Sequence, residues 1–486
     1  MNDPKKELEE LRNERIEHSL SLRKQKINRY ILKRRLGMNN KVYSIKKEEV
    51  IIKNEYKNKT FKNLTDLLTF SSNILGNDQS DINEIKFVIC LLKMAEIKKD
   101  SGEVSNSNIL KGISQVLNKY INDIIIVDEL LAILINFTYY LEMSTIINLL
   151  TNDYLNIYSK ITNLYFKDDT IFCDLIILLG NLSNDNTTAQ KIFYQTKLFE
   201  EIYNLTLNEK APKQKRDVCL WFLAIFTKGI QKNNYFVNNI ELFKNLVDIM
   251  VSNFKNEEHT IFCLDSLGNL AELYDLVEYI IKKSELFNYI LEIDKPELLF
   301  LVNKILANIT SFNENINLYL LDNYKIIQYI LKYINSSCNI IKGQIVFLVG
   351  NITENKPSRI NELFYKFGIF DKIFEFLDSP FVDMLDRSLF ILNVLLSSLN
   401  KEGIFRLFQK NIHLKLINIL KNDYKRDIID KVIDAIIEFL EKDSQDCVIK
   451  ESFLDNGLRD VFSTMVLDRN DAEIYMKTEQ ILKNYY

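Results

Sequence analysis

The sequence predicts an all-α chain of stacked helical repeats, and three observations carry that reading. Glycine and proline are scarce, 12 and 5 among 486 residues, which leaves little material for hairpins or long irregular loops. Apolar residues make up 47% of the chain and recur at helical spacing over long stretches. Segments of one pattern return again and again: "LLAILINFT" from Leu130, "LIILLGNLS" from Leu175, "CLWFLAIFT" from Cys219, "CLDSLGNLA" from Cys263, "VNKILANIT" from Val302, "IVFLVGNIT" from Ile345, "SLFILNVLL" from Ser388 and "DAIIEFLEK" from Asp434. A chain this long exceeds one compact core, and a repeat array extends its core by stacking.

The N-terminal stretch stands apart from these repeats. Between Arg12 and Arg35 nine basic residues face two acidic ones, a local charge of +7 that leaves −11 on the rest of a chain totalling −4. A basic head before an acidic body invites self-association or capture by an acidic partner. The start "MNDPKKELEELRNER" lacks the apolar core of a signal peptide. No run of eighteen uncharged apolar residues occurs, so no membrane span is expected.

In the body, each copy is registered on the residue after its small or polar step. This gives Asn136, Asn181, Ile225, Asn269, Asn308, Asn351, Val394 and Glu438, spaced by 45, 44, 44, 39, 43, 43 and 44. A period near 43 with three helical segments per unit resembles armadillo or HEAT-type solenoids. Four residues earlier, on the same helical face, stand Ala132, Ile177, Trp221, Asp265, Lys304, Phe347, Phe390 and Asp434. Trp221 is the only tryptophan in the chain.

An enzyme is not expected. The histidines His18, His259 and His413 lack metal-ligand spacing, and no glycine-rich phosphate loop or GxSxG elbow occurs. Cys90, Cys173, Cys219, Cys263, Cys338 and Cys447 lie far apart, most inside apolar helical patterns, as reduced core thiols do. No cofactor and no metal is implied.

The Trp and Asn ladder resembles importin-alpha, the armadillo-repeat adaptor that carries nuclear-localisation signals. So does the head: "RNERIEHSLSLRKQKINRYILKRRL" is similar to that family's importin-beta-binding segment. The resemblance implies a right-handed superhelical solenoid over 60–486 with about ten repeats, a linker over 46–59, and a basic importin-beta-binding, autoinhibitory segment over 1–45. In that segment it implicates Arg12, Arg15, Leu22, Arg23, Lys24, Lys26, Leu32, Lys33, Arg34 and Arg35. It implies a major cargo site at Asn136, Ile177, Asn181, Asp185, Trp221 and Asn269. A minor site would comprise Lys304, Asn308, Phe347, Asn351 and Phe390. Aromatic walls would hold the stems of cargo lysines, asparagine amides would clamp the peptide main chain, and Asp185 would anchor the key lysine.

Partners implied by the resemblance are importin-beta, cargo with basic localisation signals, and an export receptor at the C-terminal repeats. The chain would shuttle between cytoplasm and nucleus and bind neither nucleic acid nor membrane. The chain departs from the family at Ala132, Ile177 and Asp265, where tryptophan is expected, and at Ile225 and Val394, where asparagine is. Arg387 stands where an acid would favour basic cargo. Two other readings stay open: an armadillo scaffold for non-basic segments, and phosphate binding through the basic head, which the acidic body opposes.

Overall fold

Third helices such as Asp169–Ser183 are apolar almost all round, which means that they must be covered on nearly every side. The structure, a computed structural model, describes residues 61, 63–94, 108–138, 147–184, 186–229, 239–354, 358–422, 424–443, 447–468 and 472–485. Over these it has 26 α-helices and no strand, and none of the helices is long and apolar enough to cross a membrane. The third helices recur at the expected period, and we number them α1 to α10 in chain order.

Residues up to Phe222 and from Leu223 onward form two compact units. The first holds α1 (Ile82–Met94), α2 (Ile124–Thr138), α3 (Asp169–Ser183) and most of α4 (Lys213–Phe226). Here α1 packs on α2 and α2 on α3. The second unit holds α5 (Thr260–Leu270), α6 (Pro296–Thr310), α7 (Asn339–Glu354), α8 (Val382–Ser398), α9 (Arg426–Glu441) and α10 (Ala472–Tyr485). These six pack in sequence, each on the next.

Local chemistry sets the ends of these elements. Asp168 accepts from the Thr170 and Ile171 amides at 2.9 and 3.0 Å and so caps α3. Asn186, Asn313 and Asn400 cap the helices that follow α3, α6 and α8, each starting a new repeat. Within three later repeats the first helix turns into the second through one left-handed residue, Gly368, Asn411 or Gly457. Glycine and asparagine are the residues that adopt this conformation at little cost.

Tyrosine hydroxyls tie neighbouring repeats to each other. Tyr165 donates to the Ile121 carbonyl at 2.8 Å, and Tyr324 and Tyr333 donate to those of Ile281 and Ile293 at 2.6 Å. In each case the partner lies one repeat earlier. The rest of the cohesion is apolar: Phe222 is fully buried and meets Phe193 and Phe199 edge-on, with centroids 6.5 and 6.3 Å away. Replacing such a ring costs about 3–5 kcal/mol through lost transfer energy and the cavity left behind. Phe222→Ala should therefore lower the unfolding free energy measured by urea titration by that order, whereas Phe166→Ala, at a ring 40% exposed, should cost clearly less.

Candidate functional site

Stacking leaves several third helices one narrow open stripe. On α6 it runs through Phe300, Lys304 and Asn308, with the intervening side chains buried. On α2 it runs through Asp128, Ala132 and Asn136, and on α4 through Asp217 and Trp221. These are the positions the sequence register singles out, plus one further turn toward each helix N-terminus.

In the first unit the Trp221 ring is half-buried and lies over Gly180 of α3. A Cβ at Gly180 would come 2.3 Å from Trp221 Cζ3, so only glycine admits the ring there. Next to it, Asn181 donates through Nδ2 to Thr138 Oγ1 at 3.0 Å, and Thr138 in turn donates to the Ile135 carbonyl. That chain of bonds fixes the amide so that its NH₂ points back to α2, leaving the amide oxygen for a ligand. Asn136 is exposed on α2. Among the described residues no lysine or arginine lies over the Trp221 ring.

Three carboxylates share this face: Asp128, Asp174 and Asp217, all half-buried on α2, α3 and α4. They stand three or four residues before Ala132, Ile177 and Trp221, where a helix brings them onto one side. They were not singled out from the sequence, although "VDELL", "CDLII" and "RDVCL" place an acid at the same step of successive repeats.

Ile177 departs from its expected place. It is 1% exposed and offers no surface to a ligand. An all-hydrocarbon side chain at a stacked position gains most from being covered. Asp185 and the segment residues Arg12, Arg15, Leu22, Arg23, Lys24, Lys26, Leu32, Lys33, Arg34 and Arg35 lie outside the described residues.

The second unit closes what the first leaves open. Asn269 is 6% exposed and its amide is engaged on both sides. Its Nδ2 donates to Thr227 Oγ1 at 3.2 Å, and its oxygen accepts from Lys304 Nζ. It therefore has no free clamp for a peptide. Lys304 also pairs with Asp265 at 3.2 Å, and Lys228 pairs with the other carboxylate oxygen of Asp265 at 3.2 Å. Burial by itself would raise the Asp265 carboxyl. The two ammonium groups outweigh it and hold the carboxyl below the ordinary aspartate value.

Further along, Asn308 donates to the Gly268 carbonyl at 2.9 Å and Asn351 to the Ala307 carbonyl at 2.8 Å, each reaching back one repeat. Phe347 is 43% exposed, and the Arg387 guanidinium carbon stands 4.3 Å from its ring centroid. Phe390 is half-buried, its ring edge near Gly350.

The fold is shared with proteins of solved structure. An engineered protein matches at a TM-score of 0.64 and 15% identity, covering 86% of this chain and 98% of that one. A computationally designed armadillo repeat protein for modular peptide recognition matches at 0.43 and 15%, over 49% of this chain and 98% of its own. Another designed armadillo repeat protein, in complex with the peptide (KR)4, matches at 0.42 and 17%, over 49% and 98%. At such identities the likeness is one of fold. No protein-family model matches the sequence, and no curated protein matches it either. The chain is an all-α solenoid of stacked helical repeats.

Two outcomes follow from this geometry. Gly→Ala in a helix ordinarily gains about 0.5–1 kcal/mol, but Gly180→Ala should destabilise the chain and shift the emission of Trp221, which as the sole tryptophan reports directly. Asp265 titrates lower in the folded chain than in the unfolded one, so its contribution is full above about pH 4 and is lost as pH falls through the lowered value. Urea unfolding should show Asp265→Asn less stable than the parent at about pH 7, with the gap narrowing by about pH 3.

Proposed function

We propose that the chain is a non-enzymatic transport adaptor that holds a lysine- and arginine-rich segment on the open stripe of α2, α3 and α4. The observation carrying this reading is the Trp221 ring, seated on Gly180 beside the oriented Asn181 amide and in line with Asp174 and Asp217. An aromatic face flanked by carboxylates suits a cation on a methylene stem, at about 0.5–2 kcal/mol per ring contact. A charge-assisted bond adds roughly 1.5–3 kcal/mol. A fixed amide suits an extended main chain, which offers a donor and an acceptor at each residue.

The finer role rests on the sequence resemblance. The basic head, with "LRKQK" and Lys33-Arg34-Arg35, would engage importin-beta and, without it, occupy the chain's own stripe. Tethering gives even a weak internal ligand a millimolar effective concentration. Cargo would be proteins with basic localisation signals, an export receptor would take the C-terminal repeats, and the adaptor would move between cytoplasm and nucleus. Neither nucleic acid nor membrane is a partner in this scheme. A second reading, a scaffold for non-basic segments, draws on the second unit, where the chain's own cations sit at Asp265 and Phe347.

The test is fluorescence anisotropy of a labelled lysine-rich peptide on the full chain. Trp221→Ala and Asp185→Lys should each weaken binding about tenfold or more, within the contact energies above. Alanines at Lys33, Arg34 and Arg35 should tighten it. Unchanged affinity in the first two variants sinks the site, and a head that does not retain importin-beta in a pull-down sinks the transport role.

A further inference from the structure

The second unit carries a row of cations that reach back one repeat along the same stripe. Lys304 of α6 meets Asp265 of α5 at 3.2 Å. Arg387 of α8 lies over the Phe347 ring of α7 at 4.3 Å. Lys431 of α9 pairs with Asp386 of α8 at 2.5 Å, and Lys477 of α10 pairs with Asp430 and Asp434 of α9 at 2.7 and 2.8 Å. Among the described residues, four of the five steps between the six third helices carry such a cation, and α6 to α7 does not. There Asn303 donates to the Gln344 side chain at 2.9 Å instead.

Arg387 is the member of this row that bears on ligand choice. Phe347 and Phe390 are the aromatic residues at the register position that Trp221 holds in the first unit. Trp221 has no cation on its ring among the described residues, whereas Phe347 already has one. A guanidinium held by its own helix meets the ring without the loss of translational freedom that an incoming peptide suffers. Its charge also repels an arriving lysine or arginine.

We propose that Arg387 is a resident occupant of the second aromatic position, so that the chain accepts one basic segment, in the first unit, and refuses a second one at Phe347. This deepens the function proposed above and rests on the same chemistry of cation and ring. The determinant of specificity is then the side chain three residues before Phe390. Arginine keeps the position shut, and a small neutral residue opens the Phe347 ring to a peptide cation.

The stoichiometry of a short lysine-rich peptide, measured by isothermal titration calorimetry on the full chain, tests this. The parent should bind one equivalent and Arg387→Ala two, while Arg387→Lys, which keeps a cation able to reach the ring, should bind one. Circular dichroism and thermal unfolding establish that all three are folded alike. Two equivalents on the parent, or one on both the parent and Arg387→Ala, overturn the proposal. No binding to the parent with one equivalent on Arg387→Ala upholds it while removing the first-unit site. No binding to any of them removes both.

Discussion

A single three-helix unit of this chain cannot cover its own third helix, and everything else in the structure follows from that. Helix α3 shows the constraint at its strongest: Ile171, Phe172, Leu175, Ile176, Leu178, Leu179 and Leu182 are all buried. Only neighbours can do this, and on α2 and α6 they leave one strip of surface a single residue wide. Chemistry can reside only at every third or fourth position. The same stacking brings residues 40 to 45 apart in sequence into hydrogen-bond range, as Asn181 with Thr138 and Asn351 with Ala307 show.

Because neighbouring stripes touch, the strip residues of one repeat are positioned by the repeat before it. An asparagine amide that floated freely would lose side-chain entropy on gripping a peptide. Here one N–H is committed to the preceding helix in Asn181, Asn308 and Asn351, so the amide plane is set beforehand. Asn269 shows how little separates a clamp from a strut. The same backward bond is present, but Lys304 arrives from the next repeat and takes the oxygen. One cation one repeat away converts a group that could bind a ligand into one that binds the protein.

The fold was legible because its signal is repeated. Asn136, Asn181, Asn269, Asn308 and Asn351 recur near a constant interval, and each period adds evidence that no single helix could supply. The open stripe was legible too, since Trp221, Lys304, Phe347 and Phe390 all reach its surface at least in part. What failed was the step from position to availability. Ile177 stands in register yet is covered, and Asn269 stands in register yet is engaged, because both outcomes depend on side chains a full repeat away. Asp128, Asp174 and Asp217 went unnoticed for a related reason. An acid one turn before the register position reads as ordinary solvated charge until the neighbouring helices show which way that turn faces.

Charge placement separates the aromatic position at Trp221 from the one at Phe347. Half-buried carboxylates are costly unless a cation neutralises them, and that cation can come from the protein or from a ligand. In both units the protein supplies part of it: Lys215 of α4 is drawn back onto Asp169 of α3, as Lys304, Lys431 and Lys477 are each drawn back onto an acid of the previous helix, and those pairs tighten the stack. In the first unit the aromatic face at Trp221 is left without such a partner among the described residues, at the cost of the cohesion one would bring. A solenoid of near-identical units can thus divide its length between holding itself together and holding something else. The division is written in whether the protein's own lysine or arginine reaches the ring at the register position, as Arg387 does at Phe347.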